Sequence, residues 1–156
     1  MSEAVSKWDR FPDWPPVWLA GFLALAWAQA KWWPLGGFGD GLADLLGGVL
    51  VGGGLILAAL AIFEMRRHRT TFIPHRSADR LVTSGIFKRS RNPIYLGDAM
   101  ILAGLILYWD AVLALPLVPV FVWVIEKRFI EGEERRLRHK FPRDFMRYEK
   151  ETRRWV

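Results

Sequence analysis

One uninterrupted apolar run constrains the fold of this chain more than any other feature. Residues 42–63 contain a single ionisable side chain, Asp44, near the start of the run. A helix rises about 1.5 Å per residue, so a helix of this length crosses the roughly 30 Å hydrocarbon core of a bilayer. The run therefore predicts a transmembrane helix and an integral membrane protein.

Three further apolar segments predict a helical bundle around this helix. Residues 17–33 form a second candidate span, while residues 94–109 and 111–125 are separated only by Asp110 and indicate a short C-terminal helical hairpin. The expected fold class is all-α: an integral membrane bundle of about four transmembrane helices, forming one domain over residues 1–156.

Small residues predict where these helices approach one another. Gly48 and Gly52 are four residues apart in the first run and are followed by Gly53 and Gly54, while Gly97 and Gly104 are seven apart, on one helical face, in the hairpin. Small residues at such spacings let two helix backbones come close. Close packing within one bundle explains these glycines better than a ligand site does.

The basic residues are concentrated in two connections. Of 22 Lys and Arg residues, eight lie in residues 64–93 and eleven in residues 126–156. The positive-inside rule places both segments in the cytoplasm, and four crossings then make both termini cytoplasmic. The expected partner of this basic surface is the lipid bilayer, through its anionic headgroups.

Composition and motifs exclude several classes of function. No nucleic-acid recognition motif accompanies the basic segments, so nucleic acid is not an expected partner. The chain has no cysteine, which excludes disulfides, thiolate catalysis and Cys metal sites, and no metal is expected. No Gly-x-Gly-x-x-Gly run indicates a Rossmann fold. The oligomeric state stays open.

The C-terminal segment predicts a cytoplasmic amphipathic helix that continues from the fourth span. At about 100° per residue its apolar residues form one stripe: Ile130, Leu137 and Phe141. Pairs at i and i+4, Glu131 with Arg135 and Glu134 with Arg138, support a helix surface. Glu133 differs, because it meets an apolar residue at i+4.

The stretch SRNPIYLGD, residues 90–98, places polar groups where an apolar helix begins. A carboxylate such as Asp98 is costly within a membrane helix and suggests a functional role. An equally good alternative is an interfacial carboxylate that reaches Arg89 or Arg91.

Residues 81–98, LVTSGIFKRSRNPIYLGD, resemble the signature of the isoprenylcysteine carboxyl methyltransferase family, which is related to the membrane phospholipid N-methyltransferases. The shared elements occur in the same order: Thr83-Ser84-Gly85, Arg91-Asn92-Pro93-Ile94-Tyr95, Glu133-Glu134, Phe141 with Phe145 and Tyr148, and Arg154-Trp155. The resemblance covers residues 70–156. It implies that this part is the methyltransferase core, that residues 1–69 supply the N-terminal helices, and that the protein belongs to a bacterial inner membrane.

The resemblance also implies S-adenosylmethionine as the methyl donor, held at the cytoplasmic face. The residues expected to bind this cofactor are Leu81, Val82, Thr83, Gly85, Arg91, Asn92, Pro93, Tyr95, Glu133 and Glu134. Their chemistry agrees with the ligand. The ammonium group needs an anionic partner, which Glu133 or Glu134 offers, and the carboxylate needs donors such as Arg91.

The implied acceptor is amphiphilic or lipid-like, either an isoprenylcysteine-type carboxylate or a lipid amine. A carboxylate needs no base, whereas an amine must lose a proton, for which Asp98 or His75 is the candidate catalytic residue. Asn92 stands where the family often has His and cannot act as a base. Two rival readings are a non-enzymatic membrane module that binds lipid or a partner protein, and a membrane reductase using NADPH.

Overall fold

The computed structural model describes residues 13–39, 41–70 and 78–156. Within these ranges, six α-helices are connected by two short 3-10 helices and one π-helical turn: α1 (Pro15–Trp32), α2 (Leu42–Arg67), the 3-10 helix Gly85–Lys88, α3 (Pro93–Tyr108), the 3-10 helix Val112–Ala114, α4 (Leu117–Ile125), the π-turn Glu126–Ile130, α5 (Glu131–Lys140) and α6 (Pro142–Glu151). No strand occurs within these ranges. The predicted all-helical fold is confirmed for this part of the chain.

One described helix, α2, is long and apolar enough to cross a membrane, and α3 is apolar but shorter. The predicted count of four spans stays a prediction. The fourth segment in particular is shorter than expected, because the helix begins at Leu117 rather than at residue 111. Pro116 has no backbone N–H to donate and occupies the position just before this helix.

The centre of the bundle is α3, which contacts α2 on one side and α1 and α4 on the other. Its fully buried side chains Leu102 and Ile106 share a core with Phe121 and Ile125 of α4. Phe22 of α1 meets Phe121 edge to face, with ring centroids 5.3 Å apart. Apolar side chains hold α1, α3 and α4 together in this half of the molecule.

Glycine backbones hold α2 against α3. A Cβ added at Gly54 would lie 2.5 Å from the Gly97 carbonyl oxygen, and one at Gly47 would lie 2.6 Å from that of Gly104. The predicted packing role of Gly97 and Gly104 is confirmed. The prediction also holds for Gly54, but it is wrong for Gly48 and Gly52, which meet open space. Gly47, the residue before Gly48, faces α3 instead.

The C-terminal segment is two helices rather than the single one expected. The helical path runs from α4 through the π-turn into α5 and breaks at Phe141, before Pro142 starts α6. A second, smaller core fixes α6 on the connection after α2. It contains Phe145 and Tyr148 with Val82 and Phe87, and it places the SRNP motif beside the chain's last residues.

Candidate active site

A cavity of about 1200 Å³ lies where the start of α1, the end of α2, the start of α3 and the middle of α5 meet. Small-molecule pockets usually measure about 300–1,000 Å³, so this one has room for a cofactor and part of an acceptor. Its wall has both apolar side chains, among them Ile62 and Met65, and ionisable ones, among them Asp98 and Glu133.

Tyr95 and Glu133 form the hydrogen bond that joins α3 to α5 at this cavity. The phenol of Tyr95 donates to Glu133 Oε1 at 2.6 Å, and its ring contacts Phe129 of the π-turn. Pro93 fixes the position of Tyr95, because it begins α3 and is fully buried. The link holds the Glu133 carboxylate at the cavity wall.

Asp98 lies one helical turn beyond Tyr95 and lines the same cavity. Its carboxylate makes no hydrogen bond or ion pair to another of the described residues. The alternative considered above, a bond to Arg89 or Arg91, is therefore not made in this structure. Arg91 donates instead to Glu134 and to backbone carbonyls.

Glu134 is buried and is held by two arginines. Arg154 donates to both carboxylate oxygens, at 2.9 and 2.7 Å, and Arg91 Nη2 donates to Oε1 at 3.1 Å. The hydrogen bond to Glu134 is also the main reason that the pKa of Arg154 is raised. The expected pairing of Glu134 with Arg138 is wrong, because Arg138 binds Glu149 on α6.

Glu131 does not form the ion pair with Arg135 that the sequence predicts. Its carboxylate binds Lys127, one turn earlier, at 2.6 Å. This pair lies at the surface, and the hydrogen bond from Lys127 lowers the pKa of Glu131. The expected pair with Arg135 at i+4 is therefore wrong, because Lys127 at i−4 is equally close on the helix surface and binds the carboxylate instead.

Residues 152–156, here called the C-terminal strap, lie along the SRNP motif. The backbone N–H of Arg91 donates to the Arg153 carbonyl at 3.0 Å, and Asn92 Nδ2 donates to the Arg154 carbonyl at 3.0 Å. Arg91 Nη1 donates to the Thr152 carbonyl at 3.2 Å. Arg91 and Asn92 therefore hold the strap as well as lining the cavity.

Two buried guanidinium nitrogens in the cavity wall have no hydrogen-bond partner among the described residues. They are Arg91 Nε and Arg136 Nε. A buried donor without an acceptor is costly, so an anionic group of a ligand would stabilise it. Sequence reasoning missed Arg136 because the tail has many basic residues and nothing in their spacing distinguishes this one.

The cavity collects most of the predicted cofactor residues but not all of them. Leu81, Val82, Arg91, Asn92, Pro93, Tyr95, Glu133 and Glu134 line it, as does Asp98. Thr83 faces a separate cavity of about 570 Å³. His75 lies outside the described residues, so its proposed role as a base stays a prediction.

Gly85 does not line the cavity, and the backbone and packing at this position explain why it is a glycine. Its φ of +59° suits glycine, and an added Cβ would lie 2.7 Å from Glu64 Oε2. Ser84 donates to Glu64 Oε1 at 2.5 Å, and His68 contacts the Ser84 hydroxyl at 2.8 Å. This cluster attaches the loop that carries Leu81 and Val82 to the end of α2.

Comparison with known proteins gives one match. The family model described as "Phospholipid methyltransferase" matches residues 42–144. The chain belongs to this family. It includes the isoprenylcysteine carboxyl methyltransferases, so the resemblance drawn from the motifs is confirmed. No curated protein and no solved structure matches the chain.

Family membership gives the general activity. The protein is a membrane methyltransferase, as the family and the apolar α2 helix together support. The match covers the SRNP motif and the Glu133-Glu134 pair, but it does not cover α1 or the strap. Both of these contribute to the site in the folded chain.

Proposed function

We propose that this protein transfers a methyl group from S-adenosylmethionine to an amphiphilic, lipid-like acceptor bound in the cavity described above. One observation carries the proposal. The same cavity contains an ionic region around Glu133 and Arg91 and an apolar region at the end of α2. Such a cavity suits a polar cofactor and an acceptor with a hydrocarbon chain.

Glu133 is the better partner for the cofactor ammonium. Glu134 is already neutralised by two arginines. The carboxylate of Glu133 lines the cavity and is oriented there by the hydrogen bond from the Tyr95 phenol. The orphan Nε groups of Arg91 and Arg136 are suitable donors to the cofactor carboxylate.

The work left to the protein is mainly positioning. S-adenosylmethionine supplies an electrophilic methyl group on a sulfonium. Fixing the acceptor beside it can contribute roughly 7–11 kcal/mol in well-oriented systems. Tyr95 and Glu133 lie on one wall of the cavity and Leu81 and Val82 on another, and we expect the cofactor and the acceptor to bind between them.

Asp98 favours a lipid amine over a carboxylate as the acceptor. Its carboxylate is half-buried, lines the cavity and has no cation paired to it among the described residues. A second carboxylate beside it would be repelled, whereas an ammonium would be attracted. Asp98 can also take the proton that an amine loses before it is methylated. An isoprenylcysteine-type carboxylate is the alternative acceptor.

Calorimetric titration of the purified protein with S-adenosylhomocysteine and with NADPH tests the cofactor. We expect binding of the first ligand only. Glu133→Gln should weaken it about ten- to a hundred-fold, the range for one charge-assisted contact. Glu131→Gln, on the same helix but paired to Lys127, is the matched control and should bind like the parent. Binding of NADPH alone would instead support a reductase.

The acceptor is tested by methylation of vesicles that contain phosphatidylethanolamine, compared with a prenylated cysteine in the same lipid. Asp98→Asn should lose most turnover toward the amine and keep its affinity for S-adenosylhomocysteine within a few-fold. Methylation of the prenylated cysteine alone, unaffected by this substitution, would show that Asp98 does not select the acceptor.

A further inference from the structure

A second cavity, of about 570 Å³, lies between α6 and the connection from α2 to α3. Thr83 and Lys88 line it from the connection, and Asp144, Arg147 and Glu151 line it from α6. Its volume is within the range of about 300–1,000 Å³ that is usual for small-molecule sites. The function proposed above gives no role to this cavity.

The charged side chains of the second cavity are exposed and unpaired. Within the described residues, no side-chain hydrogen bond or ion pair is made by any of the four: Lys88, Asp144, Arg147 and Glu151. Arg147 follows Asp144 by three residues and precedes Glu151 by four, spacings at which ion pairs commonly form on a helix. The cavity therefore presents two cations and two anions that do not neutralise one another. A ligand that carries both charges can contact both kinds of group.

The second cavity lies close to the end of the apolar run of α2. Its lining residues Leu81 and Tyr148 belong to the smaller core, which also contains Ala61 and Met65 of α2. The apolar run ends at residue 63, and two arginines follow in the last turn of the helix. Lipid headgroups occupy the layer just outside the hydrocarbon core of a bilayer. A zwitterionic headgroup is therefore a ligand that the membrane itself supplies at this depth.

We propose that the second cavity is a non-catalytic site for a phosphoethanolamine group, in which Lys88 and Arg147 bind the phosphate and Asp144 and Glu151 bind the ammonium. Guanidinium and ammonium groups are the usual partners of a phosphate, and a primary ammonium donates several hydrogen bonds to carboxylates. The inference does not rest on the proposed function, because none of these four residues lines the larger cavity. Phosphatidylethanolamine and a soluble phosphoethanolamine ester both carry this group.

Two residues belong to both cavities, so the new site adjoins the candidate active site. Leu81 and Tyr148 line each of them, and the Tyr148 phenol donates to the Phe87 carbonyl at 2.6 Å. A group bound to Lys88 on the connection and to Arg147 on α6 holds these two elements together. Binding should therefore reduce local opening of both segments, which hydrogen exchange measures.

Hydrogen exchange on the purified protein, with and without glycerophosphoethanolamine, locates the site. This soluble ester has the headgroup of phosphatidylethanolamine without its acyl chains. Protection should increase at residues 81–88 and 142–152. If protection stays unchanged in these two segments, the second site is overturned, even where residues 93–98 of the larger cavity become protected.

Calorimetric titration of variants tests the two halves of the site. Arg147→Gln and Glu151→Gln should each weaken binding of glycerophosphoethanolamine about two- to five-fold, the scale for an exposed charge pair. Only Arg147→Gln should also weaken binding of glycerol phosphate, which has no ammonium. An unchanged affinity of Glu151→Gln for glycerophosphoethanolamine would reduce the site to one for anions and overturn the proposal.

Lys150→Gln is the matched control for these variants. Lys150 is an exposed cation of the same helix and lines neither cavity, so its substitution should leave the affinity for glycerophosphoethanolamine unchanged. Equal losses in Lys150→Gln and Arg147→Gln would show that general surface charge attracts the ester, and would overturn the site.

Native mass spectrometry of protein released from lipid nanodiscs distinguishes the two sources of the group. In nanodiscs of phosphatidylglycerol and phosphatidylethanolamine, the parent should retain more phosphatidylethanolamine than the double variant Arg147→Gln/Glu151→Gln. Equal retention, with the protection by glycerophosphoethanolamine intact, would assign the site to a soluble ester. Equal retention without that protection would overturn the site for both sources.

Discussion

The two interfaces of α3 are built in different ways. Along its length, α3 meets α2 through glycine backbones, at Gly54 with Gly97 and at Gly47 with Gly104. At its start, the SRNP motif meets the C-terminal strap through hydrogen bonds from Arg91 and Asn92 to backbone carbonyls. The first interface is apolar and close, and the second is polar and ionic.

The difference follows from the surroundings of each interface. Lipid is as apolar as the helix surface, so helices inside a membrane associate through close packing of small residues. At the rim, water can reach the protein, and charged groups are stabilised by one another. The glycine interface should therefore respond to changes in shape, and the strap to changes in charge.

The largest effect should come from removing the buried carboxylate of α5 that binds both Arg91 and Arg154 of the strap. Glu134→Gln leaves Arg91 and Arg154 without their shared anion while keeping the shape of the side chain. We expect a loss of about 3 kcal/mol, the lower end for a broken buried pair, since Arg154 is 31% exposed. Unfolding of the solubilised protein by sodium dodecyl sulfate measures it.

Glu131→Gln is the control for this prediction, because it removes an exposed ion pair from the same helix. It should cost less than about 1 kcal/mol. Equal losses in the two variants would mean that burial of Glu134 adds nothing to the stability of the strap.

A change of shape should have the next largest effect. In Gly54→Ala the new methyl group would lie 2.5 Å from the Gly97 carbonyl oxygen, so the two backbones must separate. Overpacking of this kind costs about 1–3 kcal/mol. Gly48→Ala, on the open side of the same helix, should be neutral or stabilising by up to about 1 kcal/mol. The same unfolding titration compares them, and similar losses in both would contradict the packing described here.

A smaller effect should follow from removing one hydrogen bond between α6 and the 3-10 helix Gly85–Lys88. The Tyr148 phenol donates to the Phe87 carbonyl at 2.6 Å and attaches α6 to the loop. Tyr148→Phe should cost about 1 kcal/mol. Tyr108→Phe, at an exposed position, should cost nothing measurable, and a destabilised Tyr108 variant would show that the assay does not isolate this bond.

The last effect, a loss of stability around Tyr148, should be absent at neutral pH and appear only under alkaline conditions. Burial raises the pKa of Tyr148 above its ordinary value, so the folded state holds this proton more tightly than the unfolded state. That stabilisation is complete below about pH 10 and is lost as the pH rises further. Hydrogen exchange should then increase at residues 148–154 before it increases in α3. Simultaneous loss of protection in both would mean that the strap does not open separately.

The site could be predicted wherever residues are close in sequence. The SRNPIYLGD stretch places Tyr95 and Asp98 one turn apart, and both line the cavity. Helix spacing also identified Glu133 as the acidic residue without a cation at i+4. For Glu134 the same spacing gave the wrong partner, since Arg91 and Arg154 reach it from 43 and 20 residues away.

The sequence by itself determined the helical class, the membrane helix at residues 42–63 and the family, because apolar run length and local motifs are properties of neighbouring residues. Only the tertiary structure decided that Gly47 rather than Gly48 faces α3. It also decided that Arg91 donates a hydrogen bond to the strap and that the first turn of α1 lines the cavity. Each of these depends on how one helix is rotated against another. That rotation is set by the summed packing of the whole bundle, which no local pattern records.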